Sequence, residues 1–222
     1  MDGNGRWAKR RGMPRTFGHK KGAENVVNIT RAMKDSGVEY LTLYAFSTEN
    51  WQRSEDEVKA LMDLLREYLD KEFREIMENN VRIIFIGERE MLSDDIRQKI
   101  DYLEKASSEN KDLTLCIALS YGSRQEIVHA VKEICKDIKN SKIDIEDISA
   151  EIISQNLYTA NIPDPDILIR TSGEQRISNY LLWQLAYTEL FFTNTLWPDF
   201  NKDELLEIIE QFNNRERRYG KN

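Results

Sequence analysis

Short apolar runs alternate along the chain with longer segments in which apolar residues recur every three or four positions. Five of the short runs are rich in β-branched and aromatic residues and have few polar interruptions, which is typical of strands buried on both faces of a sheet. These predicted strands are residues 40–46, 81–87, 113–119, 166–170 and Glu189–Phe192.

The longer segments have the periodicity of amphipathic helices. One of them, residues 55–79, has a wide apolar face and follows Ser54, which forms a capping-box pattern with Glu57. The predicted helices are residues 20–36, 55–79, 94–107, 124–139, 150–157 and 202–218. Because strands alternate with helices, we predict an α/β fold: a single domain over residues 1–222 with a central, mostly parallel sheet flanked by helices.

Composition excludes several classes of function. The chain has 222 residues, 40% of them hydrophobic, and a net charge of −7, so it has no global basic surface for nucleic acid. The cysteines Cys116 and Cys135 lack metal-ligand spacing, and two histidines are too few for a His-rich zinc site. We expect free thiols in a reducing cytoplasm. No apolar run is long enough to span a membrane, which leaves contact with a membrane surface open.

Polar segments follow three predicted strands at their carboxyl ends, where parallel sheets bind ligands. S-T-E-N-W-Q-R begins at Ser47, S-Y-G-S-R at Ser120 and T-S-G-E-Q-R-I-S-N at Thr171. The candidate residues in or beside the first and last segments are Ser47, Asn50, Trp51, Arg53, Arg170, Arg176, Ser178 and Asn179. The alternatives are that Trp51 packs on the core and that Arg170 and Arg176 form structural salt bridges.

Residues 1–7, M-D-G-N-G-R-W, contain two glycines, an acid, an amide and an arginine. Gly3 and Gly5 can take positive φ, so backbone N–H groups can form an anion-binding nest, and Arg6 can fork onto phosphate oxygens. Asp2 beside that nest would repel a phosphate unless a cation lay between them, and Mg²⁺ prefers such oxygen ligands. The alternative is a plain turn, because D-G and N-G are common turn dipeptides.

Basic residues cluster at two further places. Arg15, His19, Lys20 and Lys21 precede a predicted helix N-terminus, which attracts anions; the alternative is a solvated basic face with His19 as a local cap. N-R-E-R-R-Y-G, near the C-terminus, is either a helix-ending basic cluster or an arm that contacts another subunit. Taken together, these segments predict a site that binds two diphosphates and one Mg²⁺ beside an apolar cavity. A nucleotide-binding module is excluded, because neither G-x-x-x-x-G-K-[ST] nor G-x-G-x-x-G after a strand occurs.

Long motifs occur in a fixed order along the whole chain: D-G-N-G-R-W-A, F-G-H-K-x-G, L-T-L-Y-A-F-S-x-E-N-W-x-R, I-R-T-S-G-E-x-R-I-S-N-x-L-L-W-Q, L-W-P-D-F and N-R-E-R-R-Y-G. In these motifs the chain resembles the cis-prenyltransferases of the bacterial undecaprenyl diphosphate synthase family. The resemblance implies condensation of isopentenyl diphosphate onto farnesyl diphosphate with new cis double bonds. It also implies Mg²⁺ as cofactor and, as product, undecaprenyl diphosphate for the lipid carrier of cell-wall synthesis.

The resemblance implies a role for each motif. Asp2 would be the catalytic carboxylate that binds Mg²⁺, and Glu189 would be a further metal-binding carboxylate. The allylic diphosphate would be bound by Gly3, Asn4, Gly5, Arg6, Trp7, Arg15 and His19. A loop that positions the substrates would contain Ser47, Glu49, Trp51, Arg53 and a catalytic Asn50. Isopentenyl diphosphate would be bound by Arg170, Arg176 and Ser178.

The resemblance also implies a homodimer, in which Arg218, Tyr219 and Gly220 complete the site of the partner subunit. Small Ala45 resembles the position that leaves an apolar tunnel open, which favours a medium-long product. Family members usually have a strand directly before the motif of residues 1–7, so we expect the natural sequence to begin upstream. Gln175 replaces a common histidine, which weakens a metal or proton role there.

Two alternatives remain within the family. A non-catalytic subunit would bind and activate a partner, but such subunits tend to lose the acid and arginine of the phosphate loop, and Asp2 and Arg6 are present. A short-chain cis-prenyltransferase would make a smaller product, and Ala45 argues against this alternative. Because the product is a lipid, we expect a cytoplasmic enzyme that works near a membrane. The net charge of −7 argues against any contact with nucleic acid.

Overall fold

The computed structural model describes residues 1–215, and the strands it contains there all pair in parallel. The helices are α1 Asn4–Arg10, α2 Arg15–Asp35, α3 Glu55–Asp70, α4 Glu72–Glu78, α5 Asp94–Ala106, α6 Ser123–Lys139, α7 Ala150–Gln155 and α8 Lys202–Asn213. The strands are β1 Tyr40–Ser47, β2 Val81–Ile86, β3 Leu113–Tyr121, β4 Ile167–Arg170 and β5 Glu189–Phe192. The predicted α/β class with parallel strands is confirmed.

The chain forms two compact units, which are described separately. The larger unit consists of Met33–Asp164 and Arg176–Ala186, and it contains a sheet with the strand order β1-β3-β2. The central strand β3 is buried along almost its whole length, as its continuous apolar run predicts. Helix α5 buries Ile96, Ile100 and Leu103, which share one face of the helix. Each such side chain contributes roughly 1.5–3 kcal/mol by its removal from water.

The carboxyl end of β1 is irregular. Pairing with β3 is regular up to Tyr44 and resumes at Phe46 after a register shift, so Ala45 forms a bulge. A bulge bends its strand and re-aims the residues that follow; here those residues form the 3₁₀ turn Thr48–Gln52. Ala45 is exposed, and its predicted place beside a tunnel stays a prediction.

A buried carboxylate lies at the start of α6. Glu126 has no exposed surface, and it accepts hydrogen bonds from the Tyr121 hydroxyl, from Gln184 Nε2 (3.1 Å) and from the Tyr158 N–H (3.0 Å). Burial raises the pKa of Glu126, and these hydrogen bonds only partly oppose that effect. The three donors join α6 to β3, to the residues after α7 and to the Arg176–Ala186 segment.

The smaller unit consists of Met1–Ala32, Pro165–Gln175 and the residues from Tyr187 onward. In its sheet, β4 pairs with β5 so that Arg170 lies opposite Phe192. Two hydrogen bonds attach α2 to the residues after β5. Trp197 Nε1 donates to the Gly22 carbonyl oxygen (2.6 Å), and Asn25 Nδ2 donates to the Trp197 carbonyl oxygen (2.7 Å). The L-W-P-D-F motif is thereby attached to α2.

The first helices differ from the prediction. Residues 1–7, predicted as a loop, contain the start of α1, and Gly3 is its N-cap. Helix α2 begins at Arg15, five residues before the predicted start. Gly18 and Gly22 lower helix propensity there, but their missing side chains let α1 approach α2, and this packing outweighs propensity.

Two later helices also differ. The helix predicted over residues 55–79 is broken at Lys71 into α3 and α4, and no glycine or proline marks that break. Helix α8 ends at Asn213, and the predicted end at residue 218 lies outside the described residues. None of the helices in the described part of the chain combines the length and hydropathy of a membrane span. Both cysteines are free, as predicted; Cys116 is buried and Cys135 is exposed.

Candidate functional site

The predicted site residues are divided between the two units. The smaller unit holds Asp2, Gly3, Asn4, Gly5, Arg6, Trp7, Arg15, His19, Arg170 and Glu189. The larger unit holds Ser47, Glu49, Asn50, Trp51, Arg53, Arg176 and Ser178. We call Asp2, Arg6, Arg170, Ser172 and Glu174 the Asp2 cluster. We call Thr48, Glu49, Gly122, Gln125 and Asn179 the Asn179 cluster.

The main chain of Asp2 is fixed by three hydrogen bonds. Its N–H donates to Thr171 Oγ1 (3.1 Å), and its carbonyl oxygen accepts from the same hydroxyl (2.9 Å) and from the Trp197 N–H (3.0 Å). Gly3 follows with φ +107°, and a Cβ there would lie 2.8 Å from Leu196 Cδ2. Glycine is therefore required at position 3, and its predicted positive φ is confirmed.

The carboxylate of Asp2 lies between two arginines. Arg170 Nη2 is 3.2 Å from Oδ2, and Arg6 Nη2 is 3.6 Å from Oδ1. Partial burial opposes ionisation of Asp2, but the hydrogen bond and charge of Arg170, the Gly3 N–H and the charge of Arg6 outweigh it. The pKa of Asp2 therefore lies below its ordinary value of 3.8. An ionised carboxylate, 39% exposed, is held by an arginine that is only 15% exposed.

Arg6 also contacts the segment after β4. Its Nη1 donates to the Ser172 carbonyl oxygen (3.0 Å) and lies 3.2 Å from Glu174 Oε1, while the side chain stays 44% exposed. A diphosphate would compete with Glu174 and Asp2 for the same N–H groups. The alternative of a structural salt bridge is observed for Arg170, whose partner is Asp2.

Gly5 lies inside α1, so the prediction of a positive φ at this position is wrong. Helix α1 begins directly after Gly3, so of Gly3 and Gly5 only Gly3 has a left-handed backbone. Gly5 instead permits a close approach, because a Cβ there would lie 3.1 Å from Arg15 Nε. Arg15 thus lies against the backbone of α1, and His19, one turn later on α2, shares the face of Arg15.

Trp7 and Asn4 contribute to the packing of α1. The indole N–H of Trp7 donates to Asp199 Oδ1 (2.6 Å), and its ring, 6% exposed, stacks with Phe17. Asn4 lies against α2, since a Cβ on Gly22 would come within 2.2 Å of Asn4 Oδ1. Contact of Trp7 and Asn4 with a substrate stays a prediction.

Glu189 lies at the amino end of β5, opposite Ile167, and forms an ion pair with Arg215. Arg170, which holds Asp2, is three residues further along β4, a distance of about 10 Å. No hydrogen bond or ion pair within residues 1–215 joins Glu189 to Asp2, and the metal-binding role of Glu189 stays a prediction. The described part of the chain also contains no group of three or more His, Cys, Asp or Glu side chains that could hold a metal.

In the larger unit, the segment after β1 forms the turn Thr48–Gln52. Ser47 and Asn50 cap each other: the Ser47 N–H donates to Asn50 Oδ1 (3.1 Å), and the Ser47 hydroxyl accepts from the Asn50 N–H. Trp51 Nε1 donates to Ser120 Oγ (2.9 Å). The half-buried ring of Trp51 packs edge-on against the buried Phe46, with 5.0 Å between the ring centroids, which is the packing that the alternative describes.

Three more predicted residues belong to this unit. Arg53 forms an ion pair with Glu57, one turn later, at 2.8 Å. Arg176 and Ser178 are exposed, and Ser178 has a left-handed backbone with φ +54°. Because Arg170 belongs to the other unit, its predicted joint role with Arg176 and Ser178 stays a prediction.

Some residues of both clusters were not predicted. Ser172 and Glu174 contact Arg6, and both belong to the polar segment after β4. Asn179, named in that segment without a role, donates from Nδ2 to Glu49 Oε1 (2.9 Å). The density of polar residues after a buried strand was the available signal, but it does not indicate which of them contact each other.

Comparison with known proteins identifies relatives along the whole chain. Residues 1–220 match the family model described as "Putative undecaprenyl diphosphate synthase". An isoprenyl transferase of Agrobacterium fabrum is 48% identical over 220 residues, which cover 99% of this chain and 89% of the relative. An isoprenyl transferase of Brucella suis biovar 1 is 50% identical over 220 residues, with coverage of 99% and 87%.

Two solved structures are also similar. The lavandulyl diphosphate synthase from Lavandula x intermedia, in complex with dimethylallyl diphosphate, has a TM-score of 0.96 and 34% identity, covering 100% of this chain and 95% of that chain. A probable undecaprenyl diphosphate synthase from Campylobacter jejuni has a TM-score of 0.80 and 35% identity, with coverage of 90% and 92%.

Proposed function

Because this chain belongs to the undecaprenyl diphosphate synthase family of prenyltransferases, we propose that it extends farnesyl diphosphate with isopentenyl diphosphate to undecaprenyl diphosphate. The chain is a cis-prenyltransferase, and its substrates are prenyl diphosphates. The observation that carries the residue assignments is the Asp2 cluster, in which an ionised, accessible carboxylate lies between two guanidinium groups.

The proposed reaction makes one carbon–carbon bond in each cycle. The allylic carbon–oxygen bond breaks, and the diphosphate leaves with the electron pair. The alkene of isopentenyl diphosphate attacks the allylic carbon, and a proton is then lost. Negative charge develops on the departing diphosphate, so groups fixed beforehand around it lower the barrier. We assign this role to Arg6, Arg15 and His19, which lie on or against α1 and α2.

The residues of the Asp2 cluster fit a magnesium ion. Mg²⁺ binds one or two carboxylates and completes its coordination with substrate phosphates and water; Asp2 is ionised and 39% exposed. We propose that Asp2 holds the ion while Arg170 fixes the carboxylate. When bound, Mg²⁺ supplies positive charge to the diphosphate.

In the larger unit, we assign Arg176 and Ser178 to isopentenyl diphosphate. Both are exposed, and both follow the strand β4 in the chain. Asn50 and Trp51 lie in the capped turn Thr48–Gln52, whose backbone is fixed by its own hydrogen bonds. A fixed turn supports the proposal that these residues orient a substrate, because catalysis by positioning requires rigid geometry.

A short-chain product is the second candidate. The observation that favours it is the TM-score of 0.96 to lavandulyl diphosphate synthase, which was solved with the short allylic substrate dimethylallyl diphosphate. The two candidates differ in the allylic substrate that they prefer and in the length of the product.

The test is to incubate the purified chain with labelled isopentenyl diphosphate and either farnesyl or dimethylallyl diphosphate, with Mg²⁺ or with EDTA. We expect undecaprenyl-length lipid from farnesyl diphosphate and Mg²⁺, and none with EDTA. Short products formed mainly from dimethylallyl diphosphate would establish the second candidate. Product formation that survives EDTA would contradict the magnesium assignment, and a folded chain without any product would contradict the proposal as a whole.

We propose a homodimer as the active form, located in the cytoplasm with its lipid product delivered at a membrane surface. The exposed Leu190 and Phe192 of β5 support a subunit interface, because an apolar edge strand is typical of such surfaces. Residues 218–220, predicted to complete the partner's site, lie outside the described residues.

We expect analytical ultracentrifugation of the wild-type chain to give twice the chain mass, and we expect Phe192→Glu to shift the measured mass towards that of a monomer. A monomeric wild-type enzyme would contradict the dimer.

A further inference from the structure

Three side chains of the Asn179 cluster converge on Gly122, which separates β3 from α6. A Cβ at Gly122 would lie 2.3 Å from Gln125 Oε1, 2.7 Å from Asn179 Nδ2 and 2.7 Å from Thr48 Oγ1. These side chains come from α6, from the Arg176–Ala186 segment and from the turn after β1. Any side chain at position 122 would therefore collide with these three groups, one of which is the amide of Asn179.

Asn179 supplies the cap of α6. Gly122 is the N-cap residue and has no side chain to accept a hydrogen bond. The carbonyl oxygen of Asn179 accepts from the Ser123 N–H (2.8 Å), and Asn179 Oδ1 accepts from the Arg124 N–H (2.9 Å). Two N–H groups that a helix leaves unpaired in its first turn are thus satisfied from elsewhere in the chain. The Leu182 N–H donates in return to Ser123 Oγ (2.9 Å).

The same amide reaches the turn after β1. Asn179 Nδ2 donates to Glu49 Oε1 (2.9 Å) and to Gln125 Oε1 (3.1 Å). Partial burial opposes ionisation of Glu49, but the hydrogen bond from Asn179 and others within the turn outweigh it, so the pKa of Glu49 is lowered. One side chain therefore joins a charged residue of the turn to the first turn of α6.

The backbone around Asn179 is in an unfavourable conformation. Ser178, Asn179 and Leu181 have φ values of +54°, +59° and +45°, all in the left-handed region. Asparagine tolerates this region better than most residues, but three such residues within four positions persist only where surrounding contacts hold them. The hydrogen bonds of Asn179 are contacts of this kind.

We propose that Asn179 is a positioning residue for the condensation. Its amide holds the segment that carries Arg176 and Ser178 to the turn that carries Asn50 and Trp51. The inference rests on the proposed function, in which Arg176 and Ser178 bind isopentenyl diphosphate. Loss of the amide weakens binding of isopentenyl diphosphate more than binding of the allylic substrate.

The first test is Asn179→Gly, which removes the amide but keeps the left-handed backbone accessible. We expect the KM for isopentenyl diphosphate to rise about ten-fold, as for a lost hydrogen bond to a charged group. The KM for farnesyl diphosphate stays within about two-fold, because its proposed ligands are not attached to this segment. The matched control is Asn80→Gly: Asn80 also has a left-handed backbone, φ +61°, and donates to Asp112, but it lies at the amino end of β2.

The second test reverses the hydrogen bond. Asn179→Asp places a carboxylate beside Glu49, and we expect a larger rise in the KM for isopentenyl diphosphate. Adding Glu49→Gln supplies an amide donor from the other side, and the KM returns to within about three-fold of the wild-type value. A residue that serves stability alone would show no such rescue.

Wild-type product formation separates the two proposals, because an inactive wild-type chain contradicts the proposed function itself. With an active wild type, an unchanged KM for isopentenyl diphosphate in Asn179→Gly and Asn179→Asp overturns the positioning role. Where these variants fail to fold by circular dichroism, Glu49→Ala removes the same hydrogen bond from the opposite side. An unchanged KM in Glu49→Ala then overturns the proposal, and a rise of about ten-fold supports it.

Discussion

Asp2→Asn is expected to lower kcat by about 10³-fold, because the variant loses the negative charge that holds the metal beside the diphosphate. Asparagine keeps the shape of the side chain and still accepts a hydrogen bond from Arg170. The free energy of unfolding therefore falls by less than about 1 kcal/mol, as for a partly exposed ion pair. Steady-state kinetics at saturating substrate and a denaturant titration measure the two quantities.

The matched control for this prediction is Asp112→Asn. Asp112 pairs with Lys34 at 2.9 Å and is 41% exposed, close to the 39% of Asp2. Hydrogen bonding to Lys34 is the chief cause of its lowered pKa. Asp112 directly precedes β3, at the end of the sheet opposite to the turn after β1, so kcat should not change. Equal losses in both variants would show that removing a salt bridge, rather than the metal ligand, lowers activity.

Gly18→Ala is expected to displace α1 from α2. A Cβ at Gly18 would lie 2.0 Å from the Asn4 carbonyl oxygen, and main-chain atoms of a helix cannot rotate away. Overpacking of this kind costs about 1–3 kcal/mol, which lowers Tm by roughly 2–12 °C in a chain of this length. Because α1 carries Gly5 and Arg6, we also expect kcat/KM for farnesyl diphosphate to fall by about 10²-fold.

Gly12→Ala is the control for the effect of replacing a glycine. A Cβ at Gly12 has no neighbour within 4 Å, although φ is +67°. Strain alone should cost about 1–2 kcal/mol and leave the KM for farnesyl diphosphate unchanged. If Gly18→Ala behaves like Gly12→Ala in both measurements, the close contact between α1 and α2 does not shape the allylic site.

The strands could be predicted because their apolar runs are continuous, and each of the five predicted ranges overlaps an observed strand. Helix α1 could not, because its formation depends on Trp7 and Ala8 packing in the smaller unit rather than on local propensity. The break at Lys71 likewise has no local signal.

The chemistry of the site followed from the motifs, but its geometry did not. Motif spacing indicates that Arg6 and Asp2 belong to one site, yet it does not indicate that Glu174 also contacts Arg6. The contact between Glu49 and Asn179 joins residues 130 positions apart. Only the fold determines which residues meet across such a separation.

The buried Glu126 links folding to proton uptake. Because the folded chain raises the pKa of this group above its ordinary value of 4.5, the folded state holds a proton at pH values where the unfolded chain has released it. The stability that protonation contributes is fully present below about pH 4.5 and is lost as the pH rises through the raised pKa. The Glu126 carboxylate at the start of α6 therefore binds a proton more tightly in the folded chain than in the unfolded chain. Acidification stabilises this part of the fold, whereas protonation of an ion-paired carboxylate destabilises a fold.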